Sequence, residues 1–120
     1  MIKPPKLTEA DLQPWLNKPE MIRACAAQLQ KDLAGYGFEL TVKDKEENLY
    51  GHLFAQLQPF VIEQLKKNPA FLQEILYRID VNEFYIREFN NADEGIFSNT
   101  LTRLILWREL QKVVNRHLLK

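Results

Sequence analysis

Apolar side chains recur every three or four residues along most of this 120-residue chain, a spacing that puts them on one face of a helix. The pattern fills four stretches separated by proline, glycine and asparagine. It predicts main helices over residues 19–34, 45–66, 69–79 and 98–118, with short helical pieces over 9–16 and 81–89. A loop is predicted over 90–95, and Ser98 or Asn99 is the candidate cap of the last helix. The predicted fold class is therefore all-α: a small single-domain bundle of about four main helices spanning 1–120, with 1–7 as a loose N-terminal arm.

Two stretches interrupt this regular pattern. Pro59 lies inside the second main helix, where it removes the hydrogen bond to the carbonyl of Ala55 and predicts a kink or a break. Residues 38–42 (FELTV) alternate in the manner of a strand, yet no second strand is evident to pair with them. We therefore expect an extended connector there, with Phe38 and Leu40 turned inward.

Charge and cysteine content narrow the class of protein. Sixteen basic and sixteen acidic residues cancel, so no overall field attracts the chain to nucleic acid or to an anionic membrane. The single cysteine, Cys25, excludes an internal disulfide and favours a reducing compartment. The first residues do not resemble a signal peptide and no apolar run is long enough to span a bilayer, so we expect a cytoplasmic protein.

The segment 76–89 (LYRIDVNEFYIREF) concentrates polar side chains. Asp80 and Glu83 have the spacing of a capping box at the start of a helix, and Arg78 then complements the end of the preceding helix. The alternative is a carboxylate–arginine site, in which Asp80 and Glu83 act with Arg78 or Arg87 to bind a cation or a polar ligand. We favour capping, because it requires only local geometry.

Few other residues suggest chemistry. Cys25 lies on an apolar stripe, which predicts an inert core thiol rather than a nucleophile. His52 falls opposite the apolar face of its helix, His117 lies in a final turn, and neither has a second ligand at metal-binding spacing. Phosphate-binding loops and a nucleophile elbow around Ser98 are not evident. The sequence thus assigns no catalytic, cofactor-binding or metal-binding residue and does not favour an enzyme.

The last helix carries the most informative pattern. At about 100° per residue, its apolar residues form two stripes on nearly opposite sides. One stripe contains Phe97, Leu101, Leu104 and Ile105, the other contains Leu110, Val113, Val114 and Leu118, and Leu106 and Trp107 bridge them. Basic residues recur every four positions at Arg108, Lys112, Arg116 and Lys120. This row is either a solvated face or a surface for an acidic partner, an acidic patch of the same protein or, least favoured, nucleic acid.

Two stripes imply that each half of the helix meets a different neighbour. Either the chain wraps a central helix, or part of the apolar surface is covered by a second copy in a two-fold dimer. The second possibility predicts a non-catalytic interaction or regulatory protein that self-associates. Its candidate interface residues are Trp107, Arg108, Leu110, Lys112, Val114 and Arg116.

The alternative is a small-ligand or metal-binding helical domain with a pocket between helices. Polar residues that face inward from two different helices would favour this alternative, whereas a dry, filled core would favour the interaction protein.

Overall fold

The structure, a computed structural model, describes residues 9–42, 48–81 and 94–119. These residues form five α-helices and no strand, which confirms the all-α prediction. The helices are α1 (Glu9–Leu12), α2 (Pro19–Leu33), α3 (Leu49–Lys67), α4 (Pro69–Ile79) and α5 (Glu94–Leu118). The predicted arm over 1–7, residues 82–89 of the short helix predicted over 81–89, and residues 90–93 of the loop predicted over 90–95 lie outside the described residues.

Proline and glycine mark helix starts and ends in the first third of the chain. The first helical piece changes from α to 3₁₀ geometry at Gln13–Asn17, a segment with Pro14 in its first turn. Pro19 occupies the first turn of α2, where its missing N–H costs nothing. A 3₁₀ turn over Ala34–Tyr36 follows α2, and Gly37 ends it with a φ of 82°.

The connector over 38–42 forms no strand, as predicted. Side-chain amides satisfy its backbone instead. The side-chain amide of Gln30, on α2, forms two of these bonds. Its Nε2 donates to the Phe38 carbonyl at 2.8 Å, and the Gln30 Oε1 accepts from the Leu40 N–H at 2.7 Å. The Gln56 amide of α3 forms the same pair of bonds with Thr41, at 2.7 and 2.9 Å. Phe38 is buried and Leu40 is half-buried, so the connector packs onto the core.

Helix α3 begins at Leu49 rather than at residue 45, and the Asn48 side chain caps it by accepting from the Gly51 N–H at 3.2 Å. It runs through Pro59 to Lys67 as one helix, so the break that we considered does not occur. The kink stays a prediction. Pro59 is exposed, which leaves its ring free of the core.

Helix α4 has the predicted bounds, whereas α5 begins four residues earlier than predicted. Ser98 and Asn99, which we considered as caps, therefore lie inside α5, and that prediction is wrong. The Ser98 hydroxyl donates to the carbonyl of Gly95 one turn earlier, at 3.0 Å. The predicted loop also ends too late, because residues 94 and 95 are already helical.

Helix α5 lies at the centre of the fold and packs against the other four helices. It is antiparallel to α3. Trp107 of α5 bonds to Tyr50 of α3, and Asn99 of α5 bonds to Gln58 of α3. From the first bond to the second, the contact moves eight residues back along α5 and eight residues forward along α3. It is parallel to α2, because two α2–α5 contacts advance along both helices in the same direction.

The chain itself covers most of both apolar stripes of α5. Leu101 and Ile105 of the first stripe are buried, with Phe97 and Leu104 packed at the core margin; Leu110, Val113 and Val114 of the second stripe are also buried. Leu118, at 48% exposure, is the exception. The structure therefore has a central helix wrapped by its own chain, the first of the two arrangements that the stripes allow.

Candidate functional site

A polar cluster interrupts the apolar contact between α2 and α5. Lys112 Nζ of α5 lies 3.0 Å from Asp32 Oδ2 of α2 and 3.6 Å from Glu109 Oε2 on its own helix. The Gln28 amide also donates to both Asp32 oxygens, at 3.1 and 3.2 Å. The Glu109 side chain has no exposed surface, while those of Asp32 and Lys112 retain 13% and 21%. We call Asp32, Glu109 and Lys112 the buried cluster.

Glu109 is the unusual member of the buried cluster. As a carboxylate it would have no hydrogen-bond donor for either oxygen, because 3.6 Å to Lys112 Nζ is ion-pair distance and too long for a hydrogen bond. Burial, followed by the hydrogen bond with Asp32, raises the pKa of Glu109 to about 8. A protonated Glu109 becomes a donor to the Asp32 carboxylate, so one proton satisfies both groups.

Asp32 behaves in the opposite way. Burial raises its pKa, but hydrogen bonds from Glu109, Lys112 and Gln28 outweigh burial and hold the pKa below its ordinary value. At neutral pH the buried cluster therefore consists of an ionised Asp32, a cationic Lys112 and a neutral Glu109. Its formal charge is zero, which is the arrangement that the interior tolerates best.

Cys25 lies one to two turns before Asp32 on α2 and is buried, as its place on the apolar stripe predicts. Its Sγ donates to the Leu106 carbonyl of α5 at 3.8 Å. Burial, and then the nearby Glu109, raise the pKa of the thiol far above its usual range. A thiol in this environment stays protonated, so it is a poor nucleophile.

Asp80, in the polar segment, lies at the exposed end of α4. Asp80 ends α4 in the left-handed conformation, with a φ of 69°, and its N–H bonds back to the Tyr77 carbonyl at 3.1 Å. Its side chain is 83% exposed and lies 3.4 Å from Arg108 Nη2. Arg78 is exposed, and Glu83 and Arg87 lie outside the described residues. Asp80 thus caps the end of α4, and the capping box with Glu83 stays a prediction.

The six candidate interface residues do not share one surface, which corrects the sequence-based set. Leu110 and Val114 are buried within the chain, at 1% and 0% exposure, and so are not available to a second molecule in this fold. Lys112 belongs to the buried cluster, and Arg108 bonds to both the carbonyl and the carboxylate of Asp80. Arg116 is exposed and Trp107 is half-buried. Lys120 lies outside the described residues.

The basic row of α5 is thus divided. Two of its members, Arg108 and Lys112, meet acidic side chains of the same chain. For these two residues, pairing with acidic groups of the same protein is the alternative that applies, because their charges already have partners within the chain.

A partly exposed row of side chains follows one side of the contact between α3 and α5. On α3 it consists of every fourth residue, and on α5 it faces them in the antiparallel register. We call this row the α3/α5 seam, and its residues are Tyr50, Phe54, Gln58 and Ile62 of α3 and Ile96, Asn99, Arg103 and Trp107 of α5. Trp107 Nε1 donates to Tyr50 Oη at 3.0 Å. This bond fixes two large amphipathic rings side by side at one end of the seam.

The remaining candidates for chemistry stay apart. His52 is half-buried, while His117 is exposed with its ring centroid 5.5 Å from that of Trp15. Within the described ranges, no group of three or more histidine, cysteine or acidic side chains is arranged to hold a metal ion. None of the described helices is both long enough and apolar enough to cross a lipid bilayer.

A surface cleft of about 330 Å³ lies beside the connector, lined by Arg23, Ala26, Ala27, Gln30, Leu40 and Val42. It is open to solvent and contains none of the buried cluster. The Gln30 amide in its wall is already bonded to the connector. The cleft and the buried cluster therefore do not combine into one ligand site.

Sequence reasoning missed Glu109 and Asp32, although a signal for both was present. Glu109 follows Ile105 by four residues and precedes Val113 by four, and both neighbours are buried. Asp32 follows Cys25 by seven residues on the same face of α2. An acidic residue at an apolar position on each of two helices indicates a buried pair, but only the fold reveals that the two helices meet.

Comparison of the chain with protein-family models, with curated proteins and with solved structures finds no match.

Proposed function

We propose that this protein acts through protein–protein contacts rather than catalysis, and that it self-associates as a homodimer through the α3/α5 seam. The observation that carries the proposal is the seam itself, a row of aromatic, aliphatic and arginine side chains along two helices that hold each other in register. Tyrosine, tryptophan and arginine are the residue types most enriched at positions that dominate binding energy in protein interfaces.

The exposure of the seam supports this role. Ile96 is 58% exposed at one end of the seam, so it extends the row of apolar side chains rather than standing alone. Tyr50, Phe54, Ile62 and Trp107 are each partly exposed, so apolar area follows the length of the helix pair. A two-fold partner can cover such a surface by adding its own α3 and α5, which yields a four-helix contact.

Electrostatics supports a second copy over a highly charged partner. The basic row of α5 has two of its charges paired within the chain, so it offers less to an acidic partner than the sequence suggests. Equal numbers of acidic and basic residues leave no net charge to oppose the approach of an identical molecule. The proposal includes a cytoplasmic setting, which the single, buried cysteine supports.

The second candidate function is small-ligand binding between helices, and one observation favours it. Asp32 and Glu109 face inward from two different helices, the arrangement that we set as the mark of a ligand site. However, the three groups of the buried cluster neutralise one another when Glu109 is protonated. The self-association proposal therefore takes precedence.

Sedimentation equilibrium across micromolar concentrations tests the proposal. We expect a reversible monomer–dimer equilibrium for the natural sequence. Ile96→Glu and Arg103→Glu, both at exposed seam positions, are each expected to weaken the dimer about fivefold or more, as for an interface residue worth over 1 kcal/mol.

Tyr77→Glu is the matched control, because Tyr77 is 85% exposed on α4 and lies outside the seam. It should leave the dimer unchanged. A monomer at every concentration contradicts self-association, whereas a dimer that withstands both seam substitutions places the interface elsewhere.

A further inference from the structure

The buried cluster has a property that self-association does not require. Glu109 lies with no exposed side-chain surface between α2 and α5, and its carboxylate form has no donor for either oxygen. We propose that the buried cluster is a proton-binding site, and that release of the proton from Glu109 loosens the packing of α5 against α2.

Charge balance gives the reason. With its proton, Glu109 is neutral and donates to Asp32, and the negative charge of Asp32 is balanced by Lys112. When the O–H bond of Glu109 breaks, the proton leaves to solvent and the electron pair remains on the carboxylate. Two carboxylates then share one ammonium group in the interior, and one negative charge is left without a partner or water.

Among the residues that the structure describes, the groups that face Glu109 include no second cation to offset this charge. Asp32 and the neutral thiol of Cys25 approach from α2, and Lys112 lies one turn further along α5. Asp80, at the end of α4, forms an ion pair with Arg108, the residue that precedes Glu109 on α5. The N-terminal helical segment contributes the apolar Leu12 to the core, and its Trp15 meets His117 two turns beyond.

The position of the buried cluster explains how protons and water would reach it. Asp32 and Lys112 retain 13% and 21% exposure, so they stand between Glu109 and solvent at the edge of the contact. Asp32 is the residue before the last in α2, close to the 3₁₀ turn over Ala34–Tyr36. Movement of this end of α2 would admit water to Glu109 without unfolding the centre of α5.

The direction of the pH effect follows from proton linkage. The pKa of Glu109 is raised from its ordinary 4.5 to about 8, so between these values the folded state binds a proton that the unfolded chain does not. The stabilisation is full below pH 4.5 and declines as pH rises to about 8. Within that window, the equilibrium constant for unfolding rises roughly tenfold for each pH unit because of this group alone.

The first test measures the titration directly. Carbon-13 NMR of the side-chain carboxyl groups in the natural sequence should give Glu109 a midpoint well above the ordinary value of 4.5. This measurement needs no variant, so it decides the proposal even if a substitution prevents folding. A normal midpoint for Glu109 overturns it.

The second test compares urea unfolding and amide hydrogen exchange between pH 5 and pH 9 for the natural sequence, Glu109→Gln and Glu63→Gln. Glutamine keeps the shape and cannot ionise, so Glu109→Gln should lose most of the tenfold-per-unit dependence, while Glu63→Gln should retain it. Exchange, corrected for its intrinsic pH dependence, should increase first in the second half of α2 and in α5 around residue 109.

The same pH profile in all three proteins, or increased exchange spread evenly over all helices, overturns the proposal. Because these measurements are made at a concentration where the chain is monomeric, their outcome is independent of the seam experiment.

Discussion

Removing the ammonium group of Lys112 gives the sharpest test of how the α2–α5 contact is held together. Lys112→Met keeps most of the aliphatic stem and deletes the charge, and Asp32→Asn removes its partner with little change in shape. The two single variants and the double variant form a thermodynamic cycle, which isolates the coupling between the two side chains from their other contacts.

The structure sets the expected magnitude. At the observed 3.0 Å separation, two unit charges attract by about 1.4 kcal/mol in bulk water and by about 5.5 kcal/mol at an effective dielectric constant of 20. With 13% and 21% of their side chains exposed, Asp32 and Lys112 lie between these limits. We expect a coupling of about 2–3 kcal/mol, well above the 0–1 kcal/mol of an exposed pair.

The chain contains a matched reference pair. Lys67 and Glu63 approach to 3.3 Å on the surface of α3, with 75% and 54% of their side chains exposed. The equivalent cycle there, with Lys67→Met and Glu63→Gln, should give about 0.3–0.5 kcal/mol and decrease with added salt. The free energy of unfolding is measured at pH 7 by urea titration, with circular dichroism and tryptophan fluorescence as independent probes.

If the Asp32–Lys112 coupling is no larger than that of the reference pair, or decreases as strongly with salt, burial does not strengthen the pair and the account of the buried cluster is wrong.

Three further predictions concern single residues. Cys25 should react slowly with a thiol reagent until denaturant is added, because its thiol is buried and has a strongly raised pKa; rapid stoichiometric labelling of folded protein would contradict this. Asp80→Ala should lower the free energy of unfolding by about 1 kcal/mol, whereas Asp80→Gly should change it by less than about 0.5 kcal/mol. Glycine adopts a φ of 69° without strain, and this gain offsets the loss of the ion pair with Arg108. Equal effects of the two variants in urea titration would exclude a role for backbone conformation. Gln30→Ala should cost about 1–3 kcal/mol by the same assay, because it leaves two connector backbone groups without partners, and a change within about 0.5 kcal/mol would indicate that water replaces the amide.

Local signals in the sequence determined much of the fold. Helices α2 and α4 begin at prolines and end where predicted to within a residue, because their boundaries depend on backbone groups within a few residues of each end. The extended connector was predicted for the same reason, since a lone strand cannot satisfy its own backbone. The burial of Cys25 follows from the spacing of its apolar neighbours on α2.

Tertiary structure overruled local signals at the start of α5. Ser98 and Asn99 have strong capping preferences, yet α5 extends back to Glu94 and the Ser98 hydroxyl bonds within the helix. A cap is worth about 1 kcal/mol, and the packing of Phe97, which lies in the added turn, against the core contributes at least as much.

The sequence also determined that α5 has two buried faces, but the fold alone decided what covers them. The periodicity of apolar residues predicts that a side chain is buried. It does not indicate whether the surface that covers the side chain belongs to the same chain or to another. Leu110 and Val114 were for this reason assigned to an interface, although the chain itself buries them. Glu109 likewise lies among apolar residues in the sequence, but its raised pKa depends first on burial and then on Asp32, 77 residues earlier, and only the packing of α5 against α2 brings both about.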